Sequence, residues 1–472
     1  MLLKYFYDER LAQASYMVGC QATGEALVVD PSRDIQAYLD TAQKEGLTIR
    51  YVAETHIHAD FVSGAKELAS QTGATAVLSG EGGEDWSYQF LDQINHKLVH
   101  DGDQFKVGNV TIEVMHTPGH TPESISFKLF DRDQDTPMGI FTGDFVFVGD
   151  VGRPDLLEKA AGMENTSEVG ARQMFASLQT IKELPEHMQV WPGHGAGSAC
   201  GKALGAIPSS TVGYEKATNW ALRHTNEEAF VEDLIAEQPE PPKYFAVMKK
   251  VNKEGPALLS ELGEPVKMEP SKEELESKLE EGMQVIDTRF PAQFAEAHIP
   301  GTYNIPGNQS FANWAGWLVD YDKPVYLIAS DEAITSLTKA LRSIGVDYVK
   351  GYMPLDVIST LSAQGMEMES YKVTTPTEIA DNIANKEVNL LDVRNQGEWD
   401  SGHIPQAKHI MLGYLEERIN EVPTDKPVVL QCQSGGRSAM ATSILQANGI
   451  KDVINMQGGF GSWSKQELPQ TK

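Results

Sequence analysis

Cysteine is scarce in this sequence: 472 residues include only Cys20, Cys200 and Cys432. Three thiols so widely spaced exclude a disulfide framework and suit a reducing compartment, so a cytoplasmic setting is expected. Long apolar runs are missing too. No uninterrupted stretch approaches the roughly 18 residues that suggest a membrane-spanning helix. The opening MLLKYFYDER lacks the apolar core and small-residue cleavage site of a secretory signal. Positive charge is in deficit: 39 Lys and Arg face 67 Asp and Glu, for a formal charge of −28. That balance argues against nucleic acid, whose phosphates need a basic face. It also means that an anionic substrate must be held by a local cluster of cations. What is left is ordinary globular material, 41% hydrophobic and 22% charged. The chain is long enough for about three domains.

Short runs rich in Val and Ile recur through the first part: ALVVD (26–30), IRYVAET (49–55), TIEVMHT (111–117), GIFTGDFVFV (139–148) and MQVWPGH (188–194). Runs of this length read as buried strands alternating with helices. Each of the last four carries His or Asp at or just beyond its end, where a loop begins and functional groups are usually placed. The Pro- and charge-rich stretch 237–256 reads as a boundary, giving a module over 1–245 and a linker over 246–267. An internal repeat follows. VIDTRFPAQFAEAHIPG (285–301) matches LLDVRNQGEWDSGHIPQ (390–406), pairing Asp287 with Asp392 and His298 with His403. Two similar α/β units are therefore expected over 268–370 and 371–472.

The strand ends gather His56, His58, Asp60, His120, Asp144 and His194, donors that suit Zn, Fe or Mn. THIHAD, HTPGHT, FTGDFVF and WPGHG resemble the signature of the metallo-β-lactamase superfamily, which implies an αβ/βα sandwich with its site at one edge. Dinuclear hydrolases of that superfamily carry His where this chain has Phe61. One metal is therefore expected rather than two. His56, His120 and Asp144 make a two-histidine, one-carboxylate set of the kind that holds non-haem Fe(II) with open positions. The residues alone leave open which of His56 and His58 is the ligand; resemblance to the persulfide dioxygenases selects His56. The same likeness makes His58, Asp60 and His194 residues that orient ligands and water. Arg153 is a weaker expectation, as a clamp on a substrate carboxylate. Cys200 and Lys202 lie on the loop beyond His194 and could line the substrate site, although Cys200 also reads as a small buried hydrophobe.

In the last unit, VVLQCQSGGRSAMATS delivers Cys432 into the loop Gln433, Ser434, Gly435, Gly436, Arg437 at the start of a helix. The glycines let backbone N–H groups curl into an anion nest, and the helix N-terminus and arginine favour a thiolate. With DVR and GHIP upstream, this resembles the rhodanese sulfurtransferases, which implies Cys432 as sulfur carrier and Arg437 as the residue closing the loop. The first copy has Ala329 in place of Cys432 and SDEAI in place of QSGGR, so an inactive rhodanese-like domain is expected there.

Together these likenesses imply a persulfide dioxygenase–rhodanese fusion with one Fe(II) per chain. It would oxidise a low-molecular-weight thiol persulfide with O2 to sulfite and make or use thiosulfate. The alternative is a zinc thioester hydrolase of glyoxalase II type with a rhodanese appendage. No nucleic acid or membrane partner is expected, and a silent domain suggests a homo-oligomer.

Overall fold

A computed structural model describes residues 1–132, 134–156, 158, 166–202, 204–236 and 238–472. The chain divides into two compact units, Met1–Leu262 with Arg342–Gly345, and Gly263–Leu341 with Val346–Lys472. Among the described residues no helix is long and apolar enough to cross a membrane.

The first unit holds two six-stranded sheets. One runs in chain order: β1 (Leu2–Asp8), β2 (Gln13–Cys20), β3 (Glu25–Val29), β4 (Thr48–Ala53), β5 (Thr75–Ser79) and β6 (His96–Val99). The other comprises β7 (Gln104–Val107), β8 (Val110–His116), β9 (Ile125–Asp131), β10 (Gly139–Gly143), β11 (Gln189–Pro192) and β12 (Ser210–Thr211). Side chains alternate across a strand, and the sequence uses both faces. Tyr16, Val18, Leu27 and Val29 turn inward to meet Ile112, Val114, Phe127 and Phe141 of the second sheet. Their neighbours Met17, Ala26 and Val28 face out and pack under the helices Gln36–Glu45 and Ala65–Thr72 through Tyr38, Ala42 and Leu68. On the far side, Ile140 and Val190 meet Met174 and Leu178 of the helix Thr166–Lys182. This is the αβ/βα sandwich expected from the sequence. Loops leaving β3, β4, β8, β10 and β11 carry the titratable residues of the site.

The stretch 246–267, expected as a linker, is instead largely regular structure. Helix Tyr244–Glu254 buries Tyr244, Phe245, Met248 and Asn252 within the first unit, and Val266–Lys267 forms a strand of the next. Its prolines and lysines suggested an exposed tether, but YFAVMKKVN places its apolar groups on one helical face, and that face decides the outcome.

The second unit contains two five-stranded parallel sheets. One is ordered β13 (Val266–Lys267), β17 (Val349–Met353), β16 (Val325–Ile328), β14 (Gln284–Asp287) and β15 (Tyr303–Asn304). The other repeats that order with β18 (Lys372–Thr374), β22 (Val453–Met456), β21 (Val428–Gln431), β19 (Asn389–Asp392) and β20 (Lys408–His409). The repeat extends to side chains. Arg289 pairs with Asp287 as Arg394 pairs with Asp392. His298 stacks on Phe294 at 3.8 Å, and His403 stacks on Trp399 at 3.6 Å. Equivalent packing in both copies identifies these histidines as structural. The helix Gly436–Ala447 is buried along nearly its whole length. The N–H of Asn304 on β15 donates to Ser443 Oγ on that helix, and Trp317 meets Tyr414 edge to face.

Candidate metal centre and thiol loop

Parallel strand β4 ends at Ala53, and the following loop brings His56 to face Asp144, which lies just beyond β10. Gly143, between them, has φ +51°. A Cβ there would lie 2.2 Å from Thr55 Oγ1, so only glycine lets the two loops approach. His56, His120 and Asp144 bring one donor atom each to within 4.8 Å of one another, all buried. Nε2 of His120 is 3.5 Å and Nε2 of His56 3.9 Å from the same carboxylate oxygen, Asp144 Oδ2.

The opposite ring nitrogens are fixed by the chain. His120 Nδ1 donates to the Arg153 carbonyl at 2.9 Å. Thr55 Oγ1 gives its proton to Asp30 Oδ2, so its lone pair takes the Nδ1 proton of His56 at 3.0 Å. Both Nε2 lone pairs are thereby left facing Asp144. His56 Nε2 and both Asp144 oxygens are buried without a hydrogen-bond partner. Orphaned acceptors are costly in a fold unless something else satisfies them, and a cation between them would do so. The donor set fits such an ion. Burial, reinforced by His58, His120 and His194, holds His56 well below the ordinary imidazole range, in the neutral form that a metal requires.

His58 turns the other way. Its Nε2 meets Asp30 Oδ1 at 3.2 Å, and its ring packs 4.4 Å from Phe61. Burial pulls its pKa down, but Asp30, Glu54 and Asp60 outweigh that and raise it to about 9. The structure thus brings His56 to the cluster and ties His58 to Asp30. Asp60 and His194 pair at 3.1 Å, and His194 Nε2 also lies 3.4 Å from Asp144 Oδ1. Burial opposes a charge on His194, yet Asp144 and Asp60 prevail and hold it well above the ordinary range. Cys200 completes a second cluster with Asp60 and His194, its donors again within 4.8 Å. Burial, with Asp60 and Asp144, pushes its thiol up to about 12.

Two of the weaker expectations change. Arg153 is fully buried, and Asp155 takes its guanidinium through two bonds of 2.7 and 2.6 Å. A third goes to the Ala199 carbonyl, so the side chain ties two loops together inside the fold rather than clamping substrate. Lys202 likewise reaches the Asp233 carbonyl and lies over the Trp220 ring. Around the metal cluster, two residues were missed by sequence reasoning. Asp30 accepts bonds from Thr55 N–H, Thr55 Oγ1 and His58, and its place at the end of ALVVD was the available signal. Asn252, on the supposed linker, donates to the carbonyls of His58 and Phe61 and accepts from Ser63 N–H.

In the second unit β21 delivers Cys432 to a buried position under its loop. Gly435 N–H points at Sγ from 3.1 Å, and the Ser438 hydroxyl approaches it at 3.5 Å. Gly435 has φ +105°, which turns the N–H inward. The loop is braced from outside: Phe460 N–H donates to the Cys432 carbonyl, and Gly461 N–H to that of Gln433. Gly458 N–H holds the Ser434 carbonyl. Gly436 opens the helix. Arg437 makes two 2.7 Å bonds to Glu398, a residue not singled out from the sequence. A cavity of ≈ 550 Å³ adjoins the loop, lined by Arg394, Glu398, Gln433, Phe460 and Lys465 among others. In the other copy, Ala329 is buried and Asp331 is occupied by Lys267 and the Tyr352 hydroxyl.

Comparison with known proteins agrees with this division. The metallo-beta-lactamase superfamily profile matches residues 8–194, and the rhodanese-like domain profile matches 271–353 and again 375–466. A crystal structure of a metallo-beta-lactamase from Staphylococcus aureus subsp. aureus COL is 45% identical, covering 75% of this chain and 99% of that one, with a TM-score of 0.67. The mitochondrial persulfide dioxygenase of Bos taurus is 27% identical over 41% of this chain and 68% of its own. A hydroxyacylglutathione hydrolase of Rhodospirillum rubrum is 31% identical over 38% of this chain and 60% of its own. The chain spans about half the length of several other curated relatives it matches. The chain belongs to the metallo-beta-lactamase superfamily, and two rhodanese-like domains follow its sandwich.

Proposed function

We propose that the sandwich is a mononuclear non-haem iron dioxygenase acting on a low-molecular-weight thiol persulfide, and that the last domain is a sulfurtransferase working through Cys432. The observation that carries this reading is the three-donor set His56, His120 and Asp144, whose donor atoms lie within 4.8 Å of one another, with His56 Nε2 and both Asp144 oxygens buried and without a hydrogen-bond partner. Fe(II) held by two imidazoles and one carboxylate keeps positions open for O2 and a sulfur ligand. The chain's own part is positional. Thr55 and the Arg153 carbonyl fix the tautomers of the two ligand histidines. His194 holds a proton at Nε2 between Asp60 and Asp144. Phe61, buried against His58, puts an apolar ring where a further donor would otherwise stand. In the last domain the N–H of Gly435 and the hydroxyl of Ser438 support charge on Cys432 Sγ while it carries sulfane sulfur to or from sulfite.

The relative named for persulfide dioxygenation supports this reading. Hydroxyacylglutathione hydrolases supply the second one, a zinc thioester hydrolase using the same three ligands and a bound water. Metal analysis of anaerobically purified protein, paired with O2 uptake on adding glutathione persulfide, separates them. One equivalent of iron with rapid uptake is expected. Zinc, thioester cleavage and no uptake would replace the first reading with the second.

A further inference from the structure

The first unit is not continuous in sequence. Between Leu341 and Val346, both of the second unit, the chain gives four residues, Arg342–Gly345, to the first. They complete the helix Ile334–Ser343, which lies in the thiol-free rhodanese-like repeat. The last carbonyls of a helix have no partner inside it. Gly345, at φ +77°, closes this one by returning its N–H to the Arg342 carbonyl, while Val346 N–H reaches that of Leu341. The Cys432 copy closes its helix in the same way, with Gly449 N–H on the Gln446 carbonyl and Ile450 N–H on that of Leu445. There the Gln446 carbonyl also takes Lys451 Nζ, from its own copy.

In the first copy the spare acceptors go to loops around the metal cluster. The Ser343 carbonyl accepts Val62 N–H at 2.8 Å, directly after Phe61. The Arg342 carbonyl accepts Arg33 Nη1 at 2.7 Å, and Arg33 Nη2 donates to the Ala257 carbonyl at 3.0 Å. A buried guanidinium suits the negative end of a helix. Arg33 lies three residues beyond Asp30, the group that takes the Thr55 hydroxyl proton and so sets the tautomer of His56. The two loops are joined to each other, since Gly64 N–H donates to the Pro31 carbonyl at 2.8 Å. A Cβ on Gly345 would strike Met248, on the helix whose Asn252 holds the carbonyls of His58 and Phe61.

The structure assigns a positioning role to Arg342–Gly345: the thiol-free copy contributes a clamp that fixes the loops of Asp30 and Phe61, and through them the metal-binding set, with Arg33 as its anchor. The clamp serves whichever metal the set takes. Full-length Arg33→Ala and Arg33→Lys test it, loaded anaerobically with Co(II), whose visible ligand-field bands report coordination geometry. Arg33→Ala is expected to speed amide hydrogen exchange at Val62, shift the Co(II) bands and release the ion to a chelator about tenfold faster. Arg33→Lys, which keeps a cation for the Arg342 carbonyl, should fall between it and wild type. Sulfur transfer from thiosulfate to cyanide at Cys432 should be unchanged in both. Gly345→Val attacks the clamp from its other side and should reproduce the Arg33→Ala pattern at Val62 and at the metal.

The inference is overturned if Arg33→Ala leaves Val62 exchange or Co(II) release at wild-type rates, or if Gly345→Val speeds neither. Parallel loss of Cys432 transfer in Arg33→Ala would also overturn it, as a general loss of fold. If wild type takes up no Co(II), the metal reading of His56, His120 and Asp144 fails, and exchange at Val62 alone decides whether the clamp holds its loop.

Discussion

Single residues decide whether this pocket can hold charge. Asp144 is shared by three histidines, and its two oxygens face different neighbours. Phe61 contributes a ring and no donor. Phe61→His alone is expected to yield no thioester hydrolase, because His58 stays bound to Asp30 and the residues packed around the site are unchanged. Robust thioester cleavage by that variant, measured spectrophotometrically, would contradict this account of the site. A neighbouring carboxyl gives a pH test. Burial raises Glu123 from an ordinary value of 4.5 to about 7, while its Oε1 accepts the Ile57 N–H. A raised carboxyl pKa means that the folded protein holds this proton more tightly than the unfolded chain. Its stabilising contribution is complete below about pH 4.5 and is lost as pH rises through about 7. Urea midpoints of wild type should therefore fall relative to Glu123→Gln across that window, and parallel profiles would refute the assignment. At this scale the sequence was readable wherever a donor stood at a strand end, as with His56, His120 and Asp144. It was not readable for Cys200, whose approach to Asp60 spans 140 positions of chain, or for Arg153, whose nearest acceptor is only two residues away.

Elements position those residues, and loops do so more than strands. The strands were legible because short Val- and Ile-rich runs suit a sheet buried on both faces. The Cys432 loop was legible because two glycines between a buried strand and a helix permit a turn that other residues resist. The helix Tyr244–Glu254 was not, since prolines before it and lysines within it mask a short apolar face. Asn252 on that helix makes three buried hydrogen bonds to the loop carrying His58 and Phe61. Asn252→Ala should cost about 2–4 kcal/mol of stability from unsatisfied backbone groups and weaken metal retention. Denaturant midpoints and metal content after dialysis measure both, and unchanged values would remove the helix from the site. In the thiol loop, Gly435→Ala forces a side chain onto φ +105°, with its Cβ 3.1 Å from Gln457 Cα. The N–H aimed at Cys432 then swings away. Sulfur transfer from thiosulfate to cyanide should drop about tenfold or more while circular dichroism stays native; full activity would dissociate the nest from the chemistry.

Across the whole molecule, a metallo-beta-lactamase-type sandwich and two rhodanese-like domains share one chain, and the first of those domains has Ala329 where the second has Cys432. If the modules work in series, Cys432→Ser leaves O2 consumption nearly intact but shifts product from thiosulfate toward free sulfite. Ion chromatography of the products checks this, and an unchanged ratio would mean the modules act separately. The repeat was plain in the sequence, and so was the loss of its first thiol. What could not be read was how the first copy packs on the second, because its contacts with the Cys432 domain join residues far apart along the chain. One of them, the Asn304 bond to Ser443, lies against the very helix whose start cradles Cys432. Without the first copy, Ser443 on that helix loses its Asn304 partner and Tyr414 loses its Trp317 neighbour. The thiol-free copy is thus a wall against which the Cys432 domain is built.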